Sequence, residues 1–295
     1  MEAAANHVSS FDGTKIYYES YGKGPVICAC NGIGVTTCFW PYLVDAFKST
    51  NRVILWDYRF HGKSGPGPDY HSLTMTTNAR DLKAVLDDAG VEKALLLGHS
   101  MGVQTIFEFY RNYPDQVAGL IPVLGSYGKP MDTFMGTDLI SHIFPIGRHM
   151  VFLFPGLASF FTKQLYKVIF QKKIAFAGGS LSGFINGQHF NIKDLGPYLD
   201  HLKGLDLRAF MGMAKRMQEN SAEDILSDIK VPTLIIAGED DLFTPWKVSE
   251  EMRQMIPDAE MLTIPRGSHA ALVEQPELMN LRIEKFIRER LNNAW

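Results

Sequence analysis

Residues 98–102 read Gly-His-Ser-Met-Gly, a serine with a glycine two positions away on each side. The apolar run at 94–97 comes just before. Val103, Ile106, Phe107 and Tyr110 recur just after at helical spacing. A strand that turns at once into a helix can strain its turn residue and lift that side chain above the sheet. Side chains at 98 and 102 would collide where strand and helix cross, so Gly98 and Gly102 suit the turn. The chemistry on offer is nucleophilic attack by the Ser100 hydroxyl. The competing reading is a packing turn whose serine caps the helix.

A serine hydroxyl needs a base to take its proton, and the base needs an orienting partner. Nine histidines compete. His99 adjoins the serine and is expected to point away. His61 and His71 fall in a loop region, and His142, His149, His189 and His201 fall in a helical segment. His269 follows the apolar run 259–265, which places it at a strand end on the same sheet edge as Ser100. It is the expected base. Glu239, Asp240 and Asp241 follow another apolar run, 231–238. Asp241 is the favoured orienting acid, with Asp240 its rival. Developing negative charge needs amide donors. Asn31-Gly32-Ile33-Gly34 ends the run 26–30, so the amide of Ile33 is expected to act with that of Met101, and Asn31 and Gly32 to support them.

The elements that must position these groups are legible as buried strands. Runs at 26–30, 52–57, 94–97, 117–125, 231–238 and 259–265 are largely apolar rather than alternating, as in a parallel sheet covered on both faces. An early strand is expected at 15–22. Helical patterns lie between, among them Ala79, Leu82, Val85 and Leu86. This predicts an α/β fold with a mostly parallel central sheet and helices on both faces. The rhythm breaks from 126 to 225, where Phe, Met, His and Gly are frequent. Residues 1–125 and 226–295 are expected to form the core, and 126–225 a helical insertion.

With 295 residues, a net charge of −3 and 46% hydrophobic residues, the chain can bury a large core, and its charge points away from nucleic acid. Cys28, Cys30 and Cys38 make no disulfide framework. Cys28 and Cys30 are expected on one face of a buried strand, in a reducing, cytoplasmic compartment. The first residues lack a secretory signal pattern. The uncharged part of 149–162 is too short, and too interrupted by Pro155 and Gly156, to span a membrane. Thr37 stands where a dinucleotide loop needs its third glycine, and no metal motif occurs. No cofactor is expected.

These blocks resemble the α/β-hydrolase superfamily. Asn31–Gly34 stands at that family's His-Gly loop, and 56–64 (Trp-Asp-Tyr-Arg-Phe-His-Gly-Lys-Ser) is similar to its Asp-x-Arg-Gly-x-Gly-x-Ser loop. The acid three residues after Gly238 selects Asp241, and His269 opens a His-x4-Glu-x-Pro block. The resemblance covers roughly 10–125 and 225–292. Asn31 and Phe60 depart from the family's His and Gly. The resemblance implies a Ser100–His269–Asp241 hydrolase with 126–225 as its cap. The expected substrate is a lipophilic ester, a medium-chain acyl ester or acylglycerol. Phe144, Met150, Phe152, Leu153, Phe154, Phe160, Phe161 and Phe170 are candidates either for the cap's own core or for an acyl pocket. Transient contact of the cap with a lipid surface is a further expectation. The alternatives are a perhydrolase, a C–C bond hydrolase, a polyhydroxyalkanoate depolymerase, a lyase, or a ligand receptor that keeps the triad without turnover.

Overall fold

The structure is a computed structural model and describes residues 4–160, 164 and 171–291. Eight strands form one sheet: β1 Ala4–Ser9, β2 Lys15–Tyr21, β3 Val26–Cys30, β4 Arg52–Trp56, β5 Ala94–His99, β6 Val117–Val123, β7 Leu234–Gly238 and β8 Glu260–Ile264. Their order is β1-β2-β4-β3-β5-β6-β7-β8. β1 and β2 pair antiparallel, and β2 pairs antiparallel with β4. From β4 to β8 all pairings are parallel.

Every residue of β3, β5 and β7 is buried, as continuous apolar runs in a covered parallel sheet require. Successive side chains divide between the faces. Cys28, Cys30, Ile54 and Trp56 join a core with Ala79, Leu82 and Val85 of α2 (Met75–Asp88) and Ile106 and Phe107 of α3 (Met101–Asn112). Ile27, Ala29, Val53 and Leu55 face the other way, onto α1 (Pro41–Phe47) and the helix Pro276–Phe286. The two cysteines thus share one face. Burial pushes the Cys30 thiol up to about 12.

β1 was not anticipated from the sequence. Its Ala-Ala-Asn-His-Val-Ser run is mostly exposed and follows no apolar alternation. It forms because the Asp12-Gly13 turn folds it back on β2. The Asp12 carboxylate accepts from the Thr14 amide at 3.0 Å, and Gly13 takes a φ of 85°.

Between β6 and β7 the described residues include α4 (Leu139–Leu153) and the helices Lys172–Leu181, Leu195–Gly204, Leu207–Glu219 and Glu223–Leu226. An isolated bridge between Gly128 and Ser221 closes the neck of this segment. Hydrogen bonds from Tyr70 to Asp206 (2.7 Å) and from Tyr42 to Asp194 (2.8 Å) fasten it to the sheet body. Among the described residues, no helix is long and apolar enough to cross a membrane.

Candidate active site

Ser100 sits between β5 and α3 with φ 54° and ψ −116°. A non-glycine residue in that region carries strain of about 1–3 kcal/mol. Its surroundings over-determine it. The Ser100 amide donates to the Val123 carbonyl at 3.0 Å. A β-carbon on Gly98 would overlap the Gly102 carbonyl, and one on Gly102 would overlap the Cys30 carbonyl. Both glycines are therefore required by backbone packed against backbone.

The loop after β8 brings His269 over the serine, with Nε2 at 2.9 Å from Ser100 Oγ. On the ring's other side Nδ1 lies 2.9 Å from Asp241 Oδ2 and 3.1 Å from Oδ1. Asp241 is almost fully buried in the turn after β7. Its carboxylate also accepts from the Phe243 amide (2.8 Å), the Thr244 amide (3.0 Å) and the Thr244 hydroxyl (2.8 Å). Asp240 is exposed, and Glu239 accepts from the Arg266 amide at 2.8 Å. The carboxylate facing His269 is thus that of Asp241. Phe243 stacks on the imidazole, with ring centroids 5.0 Å apart.

Glu274, five residues after His269, is buried, and burial raises its carboxyl's pKa. It receives the Ser268 hydroxyl at 2.6 Å and the Asn186 amide, so it ties the His269 loop to the segment between β6 and β7.

Residues 31–34 run beside Ser100. A β-carbon on Gly32 would sit 3.2 Å from that of Ser100. Among the described residues, the amides of Ile33 and Met101 have no acceptor, and both residues line the same cavity as Ser100. Asn31 supplies the wiring behind this loop. Its side-chain amide donates to the Trp56 carbonyl at 2.7 Å, and its oxygen accepts from the Trp40 indole at 2.8 Å. Asn31 thereby bridges the ends of β3 and β4 with neutral hydrogen bonds.

Sequence reasoning missed His61. It is fully buried, with Nε2 at 3.1 Å from the Gly34 amide. The loop that carries it is pinned by Arg59, which is fully buried and donates to Asp81 at 2.7 and 2.8 Å and to Asp12 at 2.8 Å. Phe60 in that loop takes a φ of 63°, which explains why a glycine is expected there, and stacks on Tyr70. The only sequence signal for His61 was its place inside the block 56–64.

His99 does not turn away from the site. It lies beneath it, with Nε2 at 3.1 Å from the His269 carbonyl and, among the described residues, no partner for Nδ1. Burial, then the neighbouring His269, depresses its pKa to about 3, so the ring is neutral.

Ser100 and His269 open onto a cavity of about 340 Å³. Phe134, Ile140, Phe144, Phe184, Phe210 and Phe243 contribute to its wall, and among the described residues no lysine or arginine lines it. Gln104, one helical turn after Ser100, also lines it; its side-chain oxygen is buried and, among the described residues, has no partner. Of the aromatic and apolar candidates named from the sequence, Phe144 reaches the cavity. Met150, Leu153, Phe154 and Phe160 are exposed, and Phe152 packs edge-on against Tyr70. Phe161 and Phe170 lie outside the described residues. Larger clefts, of about 550, 740 and 860 Å³, do not include Ser100. Among the described residues, no group of three His, Cys, Asp or Glu side chains is placed to hold a metal ion.

A family model described as the alpha/beta hydrolase fold matches residues 25–276. The chain belongs to the α/β-hydrolase fold family. RutD of Azorhizobium caulinodans, named provisionally as a carbamate hydrolase, is 27% identical over 274 residues, 93% of this chain and 95% of the relative. The 2-hydroxy-6-oxononadienedioate/2-hydroxy-6-oxononatrienedioate hydrolase of Paraburkholderia phymatum is 28% identical over 298 residues, covering 97% and 96%. Among solved structures, an esterase from Exiguobacterium antarcticum superposes with a TM-score of 0.78 at 19% identity, covering 97% of this chain and all of that one. That likeness concerns the α/β-hydrolase fold alone.

Proposed function

We propose that this α/β-hydrolase is a serine hydrolase that cleaves lipophilic carboxylic esters through an acyl-enzyme on Ser100. The observation that carries the reading is the 2.9 Å separation of His269 Nε2 from Ser100 Oγ, with Asp241 on the opposite ring nitrogen. In this reading His269 takes the serine proton as Oγ attacks the ester carbonyl. Asp241 holds the Nδ1 proton and offsets the charge that develops on the ring. The tetrahedral oxyanion lies against the amides of Ile33 and Met101. Its collapse expels the alcohol, which leaves with the proton from His269. A water deprotonated by His269 then attacks the acyl carbonyl; the acyl–Oγ bond breaks, Ser100 takes the proton back from His269, and the acid is freed. Residues 126–225 serve as the cap that closes the acyl pocket.

The cavity's size and chemistry support the substrate class. At about 340 Å³ it sits near the lower end of the roughly 300–1,000 Å³ range of small-molecule sites, which fits a medium-chain acyl group. Among the described residues the lining holds no lysine or arginine, which does not suit the dicarboxylate named for the Paraburkholderia relative. It is also larger and more apolar than a simple carbamate needs.

The test is a series of p-nitrophenyl esters from acetyl to palmitoyl, with product analysis in isotopically labelled water. The expected kcat/KM rises from acetyl to a medium chain and falls for palmitoyl, and the label enters the acid. Activity confined to the acetyl ester removes the lipophilic assignment, and an unlabelled acid removes hydrolysis.

A further inference from the structure

Gln104 is 1% exposed, set on α3 among the buried Val103, Ile106 and Phe107. Glutamine is seldom buried so fully, and a buried polar atom normally has a partner. Among the described residues the Gln104 side-chain oxygen has none, yet the residue lines the cavity that holds Ser100. Other polar groups of the wall are engaged or covered. The Ser126 hydroxyl donates to the Gly128 carbonyl at 2.6 Å and accepts from the Gly128 amide at 3.1 Å. The Thr244 hydroxyl donates to Asp241 at 2.8 Å. His99 Nδ1 lies beside Gly32, where an added β-carbon would meet it at 3.1 Å. Methionine would fill the Gln104 site without leaving an acceptor unpaired. The chain keeps the amide there at a cost in stability, as proteins do at functional positions.

We propose that Gln104 determines specificity: its side-chain oxygen accepts a hydrogen bond from a hydroxyl on the acyl chain, at the α- or β-carbon. This deepens the ester reading of the Ser100 site and rests on it for giving the cavity to the acyl group. An acceptor calls for a donor, and neither an ester carbonyl nor a plain hydrocarbon chain has one. Among the described residues no aspartate or glutamate lines the cavity, so an ammonium donor would be buried there without a counter-charge. A hydroxyl is the smallest neutral donor. Its position follows from the helix. Gln104 comes one turn after Ser100, a spacing that sets β-carbons roughly 5–6 Å apart. The Ser100 oxygen meets the carbonyl carbon, so the Gln104 amide reaches groups close to that carbon and not the far end of a medium chain. The last torsion of a glutamine is broad, which lets the buried oxygen swing toward the donor. An acyl chain without the hydroxyl leaves that oxygen unpaired and forgoes the bond.

Steady-state kinetics with p-nitrophenyl octanoate and its α-, β- and ω-hydroxy counterparts tests the proposal. In the wild type, kcat/KM for the better of the α- and β-hydroxy esters should exceed that for the plain and ω-hydroxy esters by about tenfold or more. In Gln104→Met that ratio should fall by about tenfold, which separates the hydrogen bond from the intrinsic reactivity of a hydroxy ester. Equal values in the wild type, a preference for the ω-hydroxy ester, or a preference untouched by Gln104→Met would overturn it. The wild-type ratio is read without any variant, so the test stands even where Gln104→Met folds poorly. Calorimetry on Ser100→Ala with methyl heptyl ketone and its α- and β-hydroxy counterparts keeps this proposal apart from the ester reading. These neutral ligands carry the carbonyl and need no turnover. The better hydroxy ketone should bind about tenfold or more tightly than the plain one. Such a preference without ester cleavage would support the role of Gln104 and remove the ester reading. Ester cleavage with no preference in either series would overturn the role of Gln104 and leave the ester reading in place.

Discussion

His61 accepts the Gly34 amide proton at 3.1 Å through Nε2, while its Nδ1 faces the Arg59 carbonyl at 3.0 Å. The ring can play both parts only when it is neutral, with its proton on Nδ1. Burial depresses its pKa to about 4; the Arg59 carbonyl opposes that shift and His201 adds to it. The folded pKa lies below the unfolded value of about 6.5. As pH falls, the unfolded chain therefore takes up the proton first. The His61 contribution is complete above about pH 6.5 and is lost between there and about pH 4.

His61→Gln isolates that term. The stability difference between wild type and variant should shrink by on the order of 3 kcal/mol between about pH 6.5 and about pH 4. Urea unfolding across that range measures it. A difference that stays constant would show that His61 is not held neutral in the fold.

The elbow glycines give a packing test with an internal control. Gly98→Ala and Gly102→Ala place a β-carbon against backbone carbonyls that cannot move aside. Each should cost about 3 kcal/mol or prevent folding. Gly178, inside the helix Lys172–Leu181, has nothing among the described residues within 4 Å of an added β-carbon. Gly178→Ala should therefore be neutral or stabilising by up to about 1 kcal/mol. Thermal melts of the three variants check the contrast.

Gln104 makes a prediction of the opposite sign to most core changes. Among the described residues its buried side-chain oxygen has no partner, a penalty of about 1–3 kcal/mol. Gln104→Met keeps the volume and removes the unpaired group, so its melting temperature should equal or exceed that of the wild type. A clear loss of stability would mean that the amide is satisfied in solution.

The two adjacent aspartates separate cleanly. Asp241 touches His269 and Asp240 does not. Asp241→Asn should lower kcat on a matched ester by about 10³–10⁴-fold with KM little changed. Asp240→Asn should stay within about twofold of the wild type by the same reasoning. Steady-state kinetics on purified variants decides it.

Much of this arrangement was legible because it is written locally. Continuous apolar runs marked β3, β5 and β7, and the paired glycines marked the turn at Ser100. What was not legible depends on contacts between distant parts of the chain. β1 is a strand only because Asp12 and Gly13 fold it onto β2, and its own residues carry no apolar rhythm. His61 looked like a loop histidine because its partner, the Gly34 amide, lies on another loop. Asn31 departs from the histidine of the resembled loop, and its partners, the Trp56 carbonyl and the Trp40 indole, are not visible from its place in the sequence. Met150 and Leu153, candidates for the cap's own core or for an acyl pocket, are exposed; apolar residues at helical spacing do not say which side of the helix meets the body.

The most direct measurement is intact-protein and peptide mass spectrometry after exposure to a fluorophosphonate. The account predicts one adduct per chain, on Ser100, absent in Ser100→Ala and formed far more slowly in His269→Ala. A folded wild-type protein that takes up no label, or takes it up on another residue, would contradict the claim that His269 and Asp241 make the Ser100 hydroxyl a nucleophile.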